Sequence, residues 1–307
     1  MILSVCPNPS IDCTMELEQL NVGQLNRVSN KIVTYSGKAL NSAIGVRRLG
    51  GDSFATGFMY ENEGSLFVAT LDNEGVKNSF VWNKGSVRTN YKIVDNRSML
   101  TEINDKGEEV SLENQQKLIN LVGTLSKSAS VVVMSGSLPS GVASDYYSRL
   151  VLGCKKGAKV ILDTAGDNLK NAITSGVYMV KPNLFELETI VGEKLRKRSD
   201  MIKACNALIE KGAENVLLSL GREGAILTDG TDAYFCKSAA VAVNSTVGAG
   251  DSMVAAAALM TEHGASKKEI LRNAVAAGTA SITTPGTNLF YRDKFEEIYG
   301  KIYVEKA

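Results

Sequence analysis

The sequence predicts an α/β fold: a doubly wound, mostly parallel sheet with helices on both faces, plus a small β-sheet lid. Three observations carry this. Short runs rich in Val, Ile and Leu recur along the chain, as strands covered on both faces require. Amphipathic stretches of 3.6-residue period lie between them and stop at glycines. Two other segments alternate apolar and polar residues with no helical period. Strand, helix and strand in repetition give a parallel doubly wound sheet.

The elements follow in order. Residues 2–5 form the first strand candidate. Residues 10–35 alternate and read as antiparallel strands with one polar face. Leu40, Ala43, Ile44 and Arg47 to Leu49 keep a helical period that stops at Gly50-Gly51. Residues 53–57 give the next strand, and alternation resumes over 78–104. There Val87, Thr89, Tyr91 and Ile93 share one face, and Arg88, Asn90 and Lys92 the other. The alternating pair reads as a lid over a site or as a solvated edge hairpin. Strands are expected at 130–134, 159–162, 178–180 and 216–219. Helices are expected at 143–156, ending at Gly157, and at 199–211, opened by an N-cap pair Ser199-Asp200 and ended by Gly212. The basic cluster 194–198 reads as a solvated loop.

A length of 307 residues suits one large domain or two small ones, and the reading here is one α/β domain over 1–307 with a discontinuous lid. Lys plus Arg number 34 against 33 for Asp plus Glu, a net charge of +1. That balance argues against nucleic-acid and polybasic membrane partners, and leaves room for a small anion held by local cations. Cys6, Cys13, Cys154, Cys205 and Cys236 are scattered, with no Cys-x-x-Cys, as reduced thiols in a cytoplasmic protein would be. No apolar run approaches a membrane span, and the first ten residues do not read as a signal peptide. His263 is the single histidine, which nearly excludes His-triad and multi-His metal chemistry.

Five segments can carry chemistry. In Asn244-Ser-Thr-Val-Gly-Ala-Gly-Asp-Ser-Met253 a glycine turn enters a strong helix former, so Gly248 and Gly250 leave backbone N–H groups bare for an anion. Asp251 in that turn is either a general base toward an attacking hydroxyl or an N-cap. The spacing fits neither the dinucleotide fingerprint nor, at Gly37-Lys38, a Walker A loop. Lys38 and Asn41 lie three apart at a helix start, which makes an anionic-polyol site or a solvated first turn. Asp12, in Asn8-Pro-Ser-Ile-Asp12, is expected at the first strand's carboxyl end, as a sugar-hydroxyl acceptor or a turn residue. Asn183 and Glu186, after Lys181-Pro182, form a capping box or an outer-shell Mg²⁺ site. Ser219-Leu-Gly-Arg-Glu-Gly224 is a hairpin turn or a nucleotide cradle.

Six segments in order resemble the ribokinase-like carbohydrate kinases, and within them the phosphofructokinase B branch. They are Asn8-Pro-Ser-Ile-Asp12, Ser36-Gly-Lys-Ala-Leu-Asn41, Ser135-Gly-Ser-Leu-Pro139, Lys181-Pro-Asn-x-x-Glu186, Ser219-Leu-Gly-x-x-Gly224 and Thr246-Val-Gly-Ala-Gly-Asp251. The resemblance implies Asp251 as catalytic base, with Gly248, Ala249 and Gly250 as an anion hole. It implies that Lys181, Asn183, Ser219, Gly221, Gly224 and Thr246 serve ATP, and that Asn183 and Glu186 support Mg²⁺. Asp12, Gly37 and Asn41 would bind sugar hydroxyls, and Lys38 and Arg88 the substrate's phosphate, with Arg27 and Ser137. The family's lid often pairs with another subunit's, which implies a homodimer. Leu25-Asn-Arg-Val28 and Met99-Leu-Thr-Glu-Ile-Asn104 look most like the 1-phosphofructokinases, implying fructose 1-phosphate as acceptor. Tagatose-6-phosphate and fructose-6-phosphate kinases are the alternatives, and a non-catalytic sensor is the alternative of another class. One position departs: the family's fourth residue in Gly-Gly-Lys-Gly-x-Asn is Ala39 here. A requirement for positive φ there would cost about 1 kcal/mol.

Overall fold

Alternate residues of the first strand point to opposite cores, and that sets the architecture. The computed structural model describes residues 1–97, 99–284 and 289–307. In β1 (Ile2–Cys6), Ile2 and Cys6 join one apolar cluster while Leu3 and Val5 join another across the sheet. A strand buried on both faces must be apolar throughout, and β1 is buried at every residue.

The chain leaves β1 for the lid strands β2 (Ser10–Glu16) and β3 (Asn30–Ser36). It returns through α1 (Lys38–Arg48), β4 (Ser53–Asn62), α2 (Gly64–Asn73) and β5 (Lys77–Ser86). A second excursion builds β6 (Thr89–Val94) and β7 (Leu100–Asn104). Then follow α3 (Leu112–Leu125), β8 (Val131–Ser135), α4 (Tyr146–Gly153), β9 (Lys159–Asp163), α5 (Gly166–Ile173) and β10 (Val177–Val180). The rest is α6 (Leu184–Val191), α7 (Arg198–Glu210), β11 (Ala213–Ser219), β12 (Ala225–Thr228), β13 (Ala233–Cys236), α8 (Ala249–Glu262), α9 (Lys267–Ser281), α10 (Arg292–Tyr299) and β14 (Val304–Lys306).

The main sheet has ten strands in the order β14-β13-β12-β11-β10-β9-β8-β1-β4-β5. Pairing is parallel from β11 to β5 and antiparallel over β12, β13 and β14. The strand order reverses between β1 and β8, where open α/β sheets bind ligands beyond the strands' carboxyl ends. The lid is a separate four-stranded sheet, β3-β2-β6-β7. Among the described residues no helix is long and apolar enough to cross a membrane.

Several expectations are corrected. Residues 77–86 belong to the main sheet as its edge strand β5, so the lid's second half begins at Thr89. Within that expected range, Ser98 lies outside the described residues. Asp12 is inside lid strand β2, beyond the end of β1. Ser199 and Asp200 sit within the first turn of α7, whose N-cap is Lys197 with no side-chain cap. The helix expected over 143–156 is shorter, at 146–153. In the loop after α6, Leu195 is buried although its charged neighbours remain outside. At Ala39 the backbone is helical, and Glu63 is the only described non-glycine residue with positive φ, so Ala39 carries no backbone strain.

Helix α8 is the centre of one core, and every residue from Asp251 to Leu259 in it is buried. Its run of alanines lets α1 and α9 approach closely. A Cβ on Gly45 of α1 would lie 2.7 Å from the Cβ of Ala255, and one on Gly278 of α9 2.7 Å from Met253 Cγ. Neither glycine has room for a side chain. Gly45→Val should therefore destabilise the fold by overpacking, about 1–3 kcal/mol, seen as a lower urea midpoint; an unchanged midpoint would contradict the packing at this contact.

Candidate functional site

A polar cavity of roughly 580 Å³ opens where the carboxyl ends of the central strands meet the lid. Asn8 follows β1, Ser137 follows β8, Asp163 ends β9, Lys181 follows β10 and Ser219 ends β11; all line it. The start of α1 brings Gly37, Lys38 and Asn41, and the start of α8 brings Gly248, Gly250 and Asp251.

Asp251 is the third residue of α8 and the helix N-cap is Gly248, at φ 82 with no side-chain cap. The N-cap alternative for Asp251 is thereby removed. Its carboxylate instead crosses to α1, where Asn41 Nδ2 donates to Oδ2 at 2.8 Å. Burial pushes the Asp251 carboxyl up to about 6; Lys38 opposes this, Asp163 adds to it, and the Asn41 hydrogen bond and Lys181 oppose it. The first N–H groups of α8, like those of any helix, have no partner within the helix. They point a positive helix end at the cavity. Glycine at 250 keeps that approach open, since a Cβ there would stand 3.3 Å from Lys181 Nζ.

Behind Asp251 lies a shared charge. Asp163 is buried and pairs with Lys181 at 3.4 Å and Lys38 at 3.8 Å, and it accepts from Ser135 Oγ at 3.3 Å. Burial raises its carboxyl, but the two lysines and Ser135 outweigh that and hold it below the usual range. Asp163 in turn is the main reason the Lys38 ammonium is pushed up to about 12. Gly37 is required for a different reason: a Cβ would meet the buried Cys6 Sγ at 2.7 Å.

The lid presents its polar side inward. In register across it, Thr34, Asp12, Asn90 and Asn104 form one row, and Thr14, Lys92 and Glu102 form the next on that face. The opposite face carries Val33, Cys13, Tyr91 and Ile103, of which Val33, Tyr91 and Ile103 are exposed. Arg88 sits at the hinge. Its guanidinium donates to Pro9 O and Asn8 O, each at 3.3 Å, and to Asp105 O and Asn90 Oδ1, each at 3.1 Å. It thus ties together the strand crossings before β2, before β6 and after β7.

An apolar compartment of roughly 280 Å³ adjoins the polar cavity, and the two share Asn183, Ser219 and Gly250. Gly221, Gly224, Thr246 and Ala249 line it with Met253, Val275 and Ile282. Gly224 has φ 108, and a Cβ there would fall 1.9 Å from Cys236 O, so only glycine closes this turn. Asn183 and Glu186 form a true capping box: Asn183 Oδ1 accepts from the Glu186 N–H at 2.8 Å, and Glu186 Oε2 from the Asn183 N–H at 2.9 Å. Asn183 Oδ1 and Glu186 Oε2 are both engaged in the cap, and Glu186 keeps its second carboxylate oxygen for this wall. Among the described residues no three acidic, His or Cys side chains converge as a metal cage. The Glu186 carboxylate beside the polar cavity fits Mg²⁺, which keeps most of its waters and binds through one or two carboxylates and substrate phosphates.

The structure therefore gathers every residue singled out in the sequence except Arg27, which is exposed on the β2–β3 connection and lines neither compartment. Sequence reading missed Asp163 and did not assign Asn90 and Lys92. A charged residue directly after the apolar run 160–162 was the available signal for Asp163.

Comparison with known proteins agrees with this geometry. A model of the pfkB family carbohydrate kinases matches residues 7–294. The chain is 32% identical over 283 residues to a 1-phosphofructokinase of Borreliella burgdorferi, covering 92% of this chain and 91% of that one. It is 33% identical over 308 residues to a tagatose-6-phosphate kinase of Staphylococcus epidermidis, covering 99% of each. The crystal structure of phosphofructokinase-2 from Escherichia coli in complex with potassium superposes with a TM-score of 0.90 at 30% identity, covering 98% of both chains.

The raised Asp251 carboxyl carries a stability cost with a definite sign. Its folded value, about 6, lies above the ordinary 3.8, so the folded state holds the proton more tightly. Stability is then lost as pH rises from about 4 through 6 and stays lost above. Asp251→Asn, which keeps an acceptor for Asn41, should be more stable than the parent at pH 8, by up to about 3 kcal/mol. The gap should narrow toward pH 4 in urea titrations; equal stabilities at pH 8 would show that the carboxylate is not under this strain.

Proposed function

The chain belongs to the pfkB family of carbohydrate kinases, and we propose that it transfers the γ-phosphoryl group of ATP to the 6-hydroxyl of fructose 1-phosphate, giving fructose 1,6-bisphosphate. One observation carries the chemistry: a buried carboxylate, Asp251, at a bare helix N-terminus, at the meeting of a polar and an apolar compartment.

The nucleotide base suits the apolar compartment beside Met253, Val275 and Ile282, and the triphosphate then runs past Ser219 and Gly250 into the polar cavity. Asn183 and Glu186 lie along that path, and Mg²⁺ held there through water would neutralise phosphate charge. The sugar lies under the lid with its 6-hydroxyl toward Asp251. That carboxylate takes the hydroxyl proton late in transfer, while Asn41 fixes its orientation. The N–H groups of Ala249 and Gly250 and the ammonium of Lys181 face the charge that develops on the phosphoryl oxygens. Arg88 and the half-exposed Lys38 sit where a second phosphate, at the far end of the acceptor, can be met. Ser137, held by Asn8 Nδ2 at 3.1 Å, adds a hydroxyl to that wall. Closure of the lid excludes water from the transfer.

The acceptor is decided by a panel of fructose 1-phosphate, tagatose 6-phosphate and fructose 6-phosphate with ATP, read as ADP released. Fructose 1-phosphate should give the highest kcat/KM. Asp251→Asn should lower kcat by ~10²-fold or more on the best acceptor. Because the base must be ionised, kcat in the parent should fall below a pH of about 6. Near-normal turnover of the variant would end the assignment of Asp251.

The exposed apolar row of the lid supports a homodimer in which two lids cover each other. Tyr91→Glu with Ile103→Glu should then yield a monomer by light scattering, and a persisting dimer would place the interface elsewhere.

A further inference from the structure

The lid holds an ion pair that the transfer chemistry does not need. Lys92 Nζ lies 3.0 Å from Asp12 Oδ2, and both side chains are 8% exposed. Burying two charges is costly, and an apolar pair of similar size is often as stable. The arrangement around the pair is also asymmetric. Asp12 Oδ1 accepts from Ser10 Oγ and from Asn90 Nδ2, each at 3.2 Å, whereas Oδ2 has Lys92 as its partner. Asn90 Oδ1 in turn accepts from Arg88. A chain of contacts thus runs Arg88, Asn90, Asp12, Lys92 along the inner face of the lid, and all four line the polar cavity.

Asp12 is already the sugar-hydroxyl acceptor that the family resemblance implies; we infer that Lys92, buried beside it, is a further specificity-determining residue, which completes the reading of one acceptor hydroxyl and sets discrimination between epimeric ketose phosphates. An ammonium has three donors and no acceptor, and a carboxylate only acceptors. Side by side they match a group that both gives and takes a hydrogen bond, which is a hydroxyl. The hydroxyl donates to Asp12 Oδ2 and accepts from Lys92 Nζ. A phosphate does not fit there, because the Asp12 carboxylate faces it. Glu102, registered opposite Lys92 on β7, reinforces that preference at the rim. An epimer with this hydroxyl turned away leaves the ion pair intact but one Lys92 donor and one Asp12 lone pair unmatched inside the closed site, and sites built to hydrogen-bond a hydroxyl reject the analogue that cannot supply it.

The inference rests on the reading of the chain as a ketose-phosphate kinase. The experiment measures kcat/KM for the best ketose phosphate of the panel and for its single epimers at C3, C4 and C5. The parent should reject one epimer most sharply. In Lys92→Met that preference should shrink by ~10- to 100-fold, the range for a hydrogen bond to a charged group. KM for ATP should stay within twofold of the parent. Asp12→Asn/Lys92→Met leaves no orphan charge and keeps the test valid if the single variant does not fold. If either variant folds and loses activity on all epimers alike, Lys92 only props the lid and the inference fails. If the parent turns over no ketose phosphate, the functional reading fails first, and the inference with it.

Discussion

Keeping an ionised carboxylate inside the protein is the constraint on which the rest depends. In the proposed transfer Asp251 meets a hydroxyl away from water, and its burial resists its ionisation. The fold answers with a positive helix end, an amide from α1 and two lysines within electrostatic reach. Each answer needs α8 to be held still. Its alanine-rich body, clamped by glycines at 45 and 278, does that, so the packing of one core and the chemistry of the site are the same arrangement seen at two ends of a helix.

Most of this was legible in the chain. The strands at 2–5, 53–57, 130–134, 159–162, 178–180 and 216–219 all lie in the main sheet, because strands covered on both faces are apolar without interruption. The glycine turn before Asp251 announced a bare helix start. What failed were distinctions that local pattern does not encode. Residues 77–86 alternate like lid strands, yet they pair with β4, since an edge strand of a large sheet also has a wetter side. The Asn183–Glu186 pair was readable as a cap or as a metal site; the hydrogen bonds show the cap, and a cap leaves the other reading open because Glu186 keeps a second carboxylate oxygen. Asp163 escaped because a lone aspartate after a strand looks like a turn until its two lysines, distant in sequence, are brought to it.

The lid inverts a common expectation. Alternating strands over a core usually turn apolar residues inward. Here Asp12, Asn90 and Lys92 face in and Val33, Tyr91 and Ile103 face out. The inner side faces the polar cavity, so its polarity is what the proposed polyol acceptor would require. The near-neutral overall charge fits the same picture: Lys92 stands beside Asp12, Lys38 and Lys181 share Asp163, and Arg88 is held by backbone carbonyls and Asn90.

The sharing of Asp163 between Lys38 and Lys181 has a consequence for turnover. An enzyme that binds and releases highly charged molecules must expose counter-charges and cover them again in every cycle. A lysine paired with a single private carboxylate would strand that carboxylate each time it swung to a phosphate. Here one lysine can be drawn off while the other keeps Asp163 compensated, so the wall acts as a charge reservoir. In the proposed reaction, loading and unloading of the cavity would then leave no naked buried ion, and the depressed Asp163 carboxyl keeps its charge across the neutral pH range.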